Sequence, residues 1–275
     1  MPSPVRRTKA VASPEAAEPS GMPSGFVGVQ SLERGLAVIK SFGANAPEQT
    51  VAEVALATGL DRFSARRFLL TLEAIGYVER NGRHFRLRPQ TLQLGYAYLS
   101  SLPWWHSAQR ISEKLTAKIG VSSAVGVLDR QDVVYVAYAS AQRFPLLWNR
   151  SVGVHLPAIS TAIGRVLIAA LAPQESQDWL ARAEIRPLTA RTRTSRTELV
   201  KVLAEVRGRG YAIVDQELEI GLRSLGVPIV SKSGSIIAGL SVSVVEGKAT
   251  SAALVKRYLE PLREAAREIS ASLPT

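Results

Sequence analysis

The residues of this chain whose side-chain chemistry is most informative are arginines. Residues 61–88 contain seven arginines against three acidic residues, Asp61, Glu73 and Glu79, which gives the stretch a net charge of +4. An arginine side chain ends in a planar, permanently charged group that can pair bidentately with guanine or with phosphate oxygens. The chemistry that this stretch could do is therefore recognition of a polyanion.

The elements that must position these arginines follow from apolar spacing and turn residues. Residues 51–58 are expected to form a short amphipathic helix, which Gly59 ends in a left-handed conformation. Asp61 is a suitable N-cap for a second helix with one apolar face, formed by Ala65, Phe68, Leu69, Leu72 and Ile75. The Asn81–Gly82 pair then predicts a hairpin of two short strands. This order is typical of a winged helix-turn-helix, whose shape fits a DNA groove.

The geometry of a helix-turn-helix assigns a place on DNA to the polar residues. The start of the second helix should reach base edges, so Ser64 and Arg66 are the candidate base readers. The full set of candidate DNA-binding residues adds two arginines for phosphates or bases and three hairpin residues for the flanking backbone or minor groove: Arg62, Ser64, Arg66, Arg67, Arg83, His84 and Arg86. A small helical domain with solvated arginines would also explain the charge, although it would not explain the order of the elements.

We divide the chain into a disordered arm at residues 1–25, a DNA-binding domain at 26–89, a linker helix at 90–109 and a second domain at 110–275. The arm carries five of the fifteen prolines, a composition typical of disorder, and it is either a dispensable tail or a basic segment that touches DNA phosphates. Structure is expected to begin at a helix with Ser31 as its N-cap and an apolar side formed by Leu32, Leu36, Ile39 and Phe42.

The linker helix is too apolar to stand alone in water, because Leu92, Leu94, Tyr96 and Leu99 all lie within it. It must pack either on its twin in a homodimer or on its own domains. Beyond it, strands are bunched together with helices between the groups, and residues 144–148 are a candidate for one further strand. This pattern predicts an α+β domain with an antiparallel sheet.

Hydroxyl residues in the second domain could bind a carboxylate. Thr161 is expected to begin a helix, and Ser241 and Ser243 are two apart on a strand, so their side chains share one face while Val242 and Val244 share the other. Hydroxyls and the free N–H groups at a helix start suit an anion. The alternative, on the residues alone, is that these serines lie on the solvated face of an edge strand.

An enzyme is disfavoured by the residues. The three histidines are scattered, and the chain has no P-loop, GxGxxG or GxSxG motif, no cysteine, and no set of ligands spaced for a metal. The densest acidic group, Asp215, Glu217 and Glu219, is expected to cap helices or to pair with arginines. Arginines within 191–196 are expected in a solvated loop rather than in a second DNA patch. No cofactor is expected.

The overall composition favours a polyanionic partner, since the net charge is +11. The absence of cysteine suits the cytoplasm, and no apolar run is long enough to span a membrane. An architectural DNA-binding protein is a second interpretation, although a full-sized, serine-rich second domain favours sensing.

Separated blocks of the sequence resemble the IclR family of transcriptional regulators. They are VQSLERGLAVIKSF, SARRFLLTLEAIGYV, TAIGRVLIAALAP, VDQELEIGLRSLGVPI and GLSVSVV, in this order. The segments LERGLAVI, ARRFLLTL, LGYAYLSSL and RPLTARTRT further resemble the branch that regulates aromatic-acid catabolism through the β-ketoadipate pathway.

The resemblance implies a winged helix for operator DNA and a C-terminal GAF-like α+β domain that binds a small carboxylate, here an aromatic acid or a ring-cleavage product. It also implies a homodimer or homotetramer. The expected effector-binding residues, including the helix start at 161, are Thr161, Ala162, Ile163, Asp215, Leu222, Ser224, Ser241 and Ser243. Asp215 would oppose an anion unless it is protonated or holds donors in place.

Overall fold

The structure is a computed structural model, and it describes residues 28–141, 150–245 and 250–273. The expected arm at residues 1–25 and the expected strand at residues 144–148 lie outside the described residues. The chain divides into two compact units, with the boundary after Thr91. Within the described ranges, no helix is long and apolar enough to cross a membrane.

The first unit contains helices packed against a small antiparallel sheet. Its elements in chain order are α1 (Gln30–Ser41), β1 (Glu48–Thr50), α2 (Val51–Thr58), α3 (Arg62–Ala74), β2 (Val78–Asn81) and β3 (His84–Leu87). The strand order is β1-β3-β2, so β3 pairs with both of its neighbours. The architecture is the expected winged helix-turn-helix.

Local hydrogen bonds explain why α2 and α3 begin and end where they do. Thr50 and Glu53 form a capping box at the start of α2, in which the Glu53 carboxylate accepts from the Thr50 N–H at 2.7 Å. Gly59 follows α2 with a φ of +68°, in the left-handed region. The Asp61 carboxylate accepts from the Ser64 N–H at 2.9 Å and caps α3. The predictions for Gly59 and Asp61 are confirmed.

The prediction for the first helix is wrong in two respects. Its N-cap is Val29, which makes no side-chain cap, and Ser31 lies inside the helix. The helix packs on α2 and α3 through its C-terminal half, where Val38 and Phe42 are buried, whereas Leu32 is 64% exposed. Ile75 is also exposed, because it is the C-cap of α3 rather than part of the buried face.

The second unit contains two helices followed by a sheet with helices on both faces. Its elements are α4 (Leu92–Ser101), α5 (Trp105–Ile119), β4 (Ser122–Asp129), β5 (Asp132–Ala139), β6 (His155–Pro157), α6 (Ala162–Ala170), α7 (Pro173–Arg182), α8 (Arg196–Arg209), β7 (Ala212–Asp215), β8 (Leu222–Val230), β9 (Ile236–Val245) and α9 (Ser251–Ala271). The interval expected as one linker helix, residues 90–109, contains α4 and the start of α5.

The sheet of the second unit is antiparallel throughout, in the order β6-β5-β4-β9-β8-β7. One face carries the core beneath α6 and α8, which includes Ile163 and Leu199. The opposite face carries the core beneath α5 and α9, which includes Val242 and Leu254. Together with the first unit, this confirms the α+β class.

Helix α6 lies unusually close to the sheet at two glycines. A Cβ atom on Gly226 of β8 would lie 2.9 Å from the backbone carbonyl of Ala162, and one on Gly239 of β9 would lie 2.9 Å from Ile163 Cγ2. Real Cβ atoms do not approach backbone this closely without something shifting. Because neither glycine has a side chain, the first turn of α6 can pack directly against β8 and β9.

Candidate nucleic-acid interface and ligand cavity

The first turns of α3 present cations to solvent. Arg62, Arg66 and Arg67 are exposed, while Ala65 between them is buried. Ser64 is half-buried and engaged with Asp61: hydrogen bonds from the Ser64 side chain and backbone lower the pKa of the Asp61 carboxyl. Among the candidate base readers, Arg66 thus has the more available side chain.

Phe63 belongs to the same surface, although the sequence analysis did not select it. The phenyl ring is 71% exposed, and the guanidinium carbon of Arg67 lies 5.8 Å from the ring centroid. Helical spacing could have identified Phe63 as part of this surface. Residues 63 and 67 are one helical turn apart and lie away from the buried face formed by Ala65 and Leu69.

The hairpin of β2 and β3 carries the remaining candidates. Gly82 takes a φ of +60° at its tip, as the turn requires, and Arg83 and His84 beside it are exposed. Arg86 is different, because its Nε donates to the Glu79 carboxylate and its Nη1 lies 3.8 Å from Glu48 Oε1. Two carboxylates therefore offset the charge of Arg86.

A narrow cavity lies in the second unit between the start of α6 and the sheet. Its free volume is about 10 Å³, which is room for about one water molecule. The lining residues come from separate parts of the chain: Tyr135, Arg150, Ser160, Thr161, Ala162, Ile163, Val214, Leu218, Leu222, Ser224 and Ser241.

Six of the eight expected effector-binding residues line this cavity, namely Thr161, Ala162, Ile163, Leu222, Ser224 and Ser241. Ser243 does not line it, but its hydroxyl shares a hydrogen bond of 2.9 Å with that of Ser224. The Thr161 hydroxyl is already engaged, since it caps α6 by accepting from the Gly164 N–H at 2.9 Å. Ser241 is buried.

Asp215 is not among the cavity-lining residues. Its carboxylate accepts from Arg223 Nε at 2.7 Å and from Gln216 Nε2 at 3.1 Å. Burial opposes ionisation of Asp215, but these two hydrogen bonds, the charge of Arg223 and a bond from Ser251 outweigh it and hold the pKa of Asp215 below its usual value. Asp215 is therefore ionised at neutral pH and fixes the end of β7 to neighbouring elements.

Arg150 is the one charged residue among the five lining residues that the sequence analysis missed, which are Tyr135, Arg150, Ser160, Val214 and Leu218. Its side chain is only 4% exposed, and its Nη2 lies 3.6 Å from Glu219 Oε2, too far for a hydrogen bond. Within the part of the chain that the structure describes, the Nε and Nη2 atoms of Arg150 have no hydrogen-bond partner. Burial raises the pKa of the neighbouring Tyr135 phenol, while the Arg150 charge acts in the opposite direction. Arg150 therefore brings a buried cation to the cavity wall, with the Glu219 carboxylate beside it.

The three acidic residues of the 215–219 segment each pair with an arginine, which confirms that expectation. Asp215 pairs with Arg223, and Glu219 with Arg150. Glu217 binds Arg165 of α6 through two hydrogen bonds. The arginines of residues 191–196 also form more hydrogen bonds than expected for a solvated loop. The backbone N–H of Arg193 donates to the Glu217 carboxylate, and the Arg196 guanidinium donates to the backbone carbonyls of Leu180 and Ala183.

Two family models match the chain. The IclR helix-turn-helix domain matches residues 31–82, and the bacterial transcriptional regulator IclR C-terminal domain matches residues 96–271. The two matches divide the chain between the same two units as the structure does.

Individual proteins are similar over most of the chain. The Pca regulon regulatory protein of Pseudomonas putida is 36% identical over 98% of this chain and 94% of its own length. A solved structure from Rhodococcus sp. RHA1, assigned as a transcriptional regulator, is 42% identical with a TM-score of 0.79, over 89% of this chain and 98% of that one. The inducer-binding domain of the Acinetobacter transcription factor PobR, solved as a double mutant with 3-hydroxybenzoic acid, is 29% identical with a TM-score of 0.53, over 59% of this chain and 95% of that one. With both family models matched and these relatives alongside, the chain belongs to the IclR family of bacterial transcriptional regulators.

Proposed function

We propose that this DNA-binding regulator is controlled by an aromatic carboxylate that binds in the cavity of its second unit, and that it reads operator DNA through the first turns of α3. The observation that carries the effector proposal is Arg150. A buried guanidinium with two nitrogens that lack hydrogen bonds within the described chain is costly, and an incoming carboxylate would supply the missing acceptors.

The other lining residues favour a planar, aromatic acid. The Tyr135 ring forms part of the wall, and Leu222, Leu218 and Ile163 add apolar surface, while Ser241 and Ser224 contribute hydroxyls. An aromatic ring prefers such walls, and the hydroxyls can satisfy a ring substituent or the second carboxylate oxygen. The hydroxybenzoate complex of the PobR inducer-binding domain supports the same class of ligand.

Effector binding requires the cavity walls to move. A space for about one water cannot hold a benzoate ring, so the acid must bind a more open arrangement of α6 and the sheet. A ligand shifts an equilibrium only by its difference in affinity between two states. The closed cavity excludes the ring and the open cavity admits it, so the acid has a higher affinity for the open state.

A thermal-shift screen with 3-hydroxybenzoate, benzoate and adipate tests the effector proposal. At a hundredfold excess over Kd, a ligand that binds only the native state should raise the Tm by on the order of 5–10 °C. Arg150→Met should lose most of this shift, while Arg182→Met, which alters an exposed arginine of α7, should keep it. An undiminished shift in Arg150→Met would reject the cavity arginine. No shift with any acid would favour another effector class or an architectural protein without an effector.

The serines give a second test of the same cavity. Replacing Ser241 and Ser243 together by alanine should abolish the response to the acid and leave DNA binding intact, because both residues lie in the second unit. The readout is the acid-induced change in DNA affinity, measured by fluorescence anisotropy. A response of wild-type size would remove these serines from the effector site.

The α3 assignment is tested on DNA. Arg66→Ala should weaken binding to a selected operator more than binding to random DNA, by about 1–3 kcal/mol, the usual value of a bidentate base contact. Arg110→Ala, an exposed arginine of α5, is the matched control. Equal losses on both DNAs would exclude base reading by Arg66.

We further propose that α4 mediates a homodimer, the unit from which a tetramer could assemble. Its apolar side chains are exposed in the single chain, with Leu92 at 75% and Tyr96 at 58%. Because such surface is costly in water, a second copy of α4 is a suitable cover. Sedimentation equilibrium should show a dimer that Leu92→Lys with Tyr96→Lys converts to a monomer; an unchanged mass would reject α4 as the interface.

A further inference from the structure

Phe63 is the feature of the DNA-binding surface that charge does not explain. It is the second residue of α3, its ring is 71% exposed, and it takes no part in the apolar core of the first unit. A fold gains nothing from a phenyl ring held in water, so a ring at this point suggests a contact with something outside the chain.

The neighbours of Phe63 show what kind of molecule fits. Arg62, Arg66 and Arg67 are exposed around it on the same helix, so the ring lies at the centre of a cationic surface. The guanidinium of Arg67 lies 5.8 Å from the ring centroid, which limits where both side chains can point. A surface of three cations around one apolar ring suits a polyanion that also presents apolar groups.

We infer that Phe63 contacts the 5-methyl group of a thymine in the major groove of the operator. The methyl of thymine is the apolar group that the major groove displays, and phenylalanine is among the side chains that can contact it. The start of α3 is the part of a helix-turn-helix that reaches base edges, and Phe63 lies there. The inference rests on the proposed reading of DNA by α3.

The test begins with the full-length protein and a library of duplexes with a randomised centre, from which a preferred sequence is selected. Each thymine of that sequence is then replaced in turn by deoxyuridine, which removes only the methyl group. At one thymine per half-site, wild-type binding should weaken about fourfold, the value of burying one methyl.

Variants assign that methyl to Phe63. Phe63→Ala should bind the parent duplex about sixteenfold more weakly, fourfold for each of the two half-sites of a dimer, and should be insensitive to deoxyuridine at that position. Phe63→Leu, which keeps an apolar contact, should stay sensitive. Ile75→Ala is the matched control, because it removes an exposed apolar side chain at the opposite end of α3 and should behave as wild type. Since Phe63 is outside the core, thermal melting should show all variants folded.

These outcomes distinguish a failure of the thymine contact from a failure of the proposed base reading by α3. Deoxyuridine sensitivity that persists in Phe63→Ala, or that is absent from the wild-type protein, overturns the thymine contact alone, provided that Arg66→Ala still changes the selected sequence. A selection that returns no preferred sequence overturns base reading by α3, and the thymine contact with it. A ring that wedges between bases rather than meeting a methyl would give deoxyuridine insensitivity in the wild type, and so also overturns the inference.

Discussion

Arg165 holds the carboxylate of Glu217 with both terminal nitrogens of its guanidinium, at 2.7 Å from Nη1 to Oε1 and 2.6 Å from Nη2 to Oε2. The two side chains are 1% and 4% exposed. Arg165 Nε also donates to the Ile159 carbonyl at 2.9 Å. This pair fixes α6, whose first residues Ala162 and Ile163 line the cavity, to the segment that follows β7.

Breaking this pair should be costly. Arg165→Met leaves Glu217 as a buried charge without its main partner, so the free energy of unfolding should fall by about 3–5 kcal/mol. Adding Glu217→Leu should recover part of the loss, though not all, because the N–H of residue 193 loses its acceptor. Urea unfolding followed by tryptophan fluorescence reports on this unit, since all four tryptophans follow Thr91. A double variant no more stable than the single one would contradict the account.

The close approach of α6 to the sheet predicts opposite effects for two glycine substitutions. Gly226→Ala places a methyl 2.9 Å from the Ala162 backbone and should destabilise the unit by about 1–3 kcal/mol. Gly208→Ala, in an open position on α8, should stabilise it by up to about 1 kcal/mol. Both are measured by urea unfolding. Equal changes in the free energy of unfolding for the two variants would contradict the predicted difference in crowding.

The ion pairs of the hairpin predict that Arg83 and Arg86 differ in their contribution to DNA binding. Arg83→Ala should reduce the slope of log K against log salt by about 0.9 for each bound copy, as expected when one phosphate contact is lost. Arg86→Ala should change the slope less, because Glu79 and Glu48 already offset its charge. Glu79→Gln should steepen the slope. Random-sequence duplex DNA suffices for the titration, and equal slope changes for the two arginines would refute this difference.

Asp215 predicts a specific dependence of stability on pH. Its pKa in the folded protein lies below the unfolded value, which is about 3.9 for an aspartate. The stability that it contributes is therefore complete above that unfolded value and is lost as the pH falls through the folded pKa. Asp215→Asn should be less stable than wild type at pH 7, with the difference shrinking toward pH 3. A difference that is constant with pH would exclude Asp215 as its source.

Local chemistry made the first unit predictable from sequence. Gly59, Asp61 and the Asn81–Gly82 turn each act on residues within a turn of themselves, so the structure follows from short-range rules. The first helix was less predictable, because packing rather than capping decides which of its apolar residues are buried. Leu32 follows the helical period and is nonetheless exposed.

The cavity required contacts between distant residues, and no local pattern supplies those. The helix start at Thr161 and Ser241 of β9 were found through the resemblance and the strand period. Arg150 and Tyr135 were missed, because nothing near them in sequence marks a cavity wall. Arg165 was missed for the same reason, since its partner lies 52 residues away.

Under the proposed effector binding, the near-filled cavity should also set the speed of the response. An acid can enter only while the walls are apart, so the observed binding rate should rise with acid concentration and then level off at the rate of opening. The plateau is measurable by stopped-flow fluorescence. We therefore expect such a regulator to follow sustained changes in acid concentration and not to register pulses shorter than one opening.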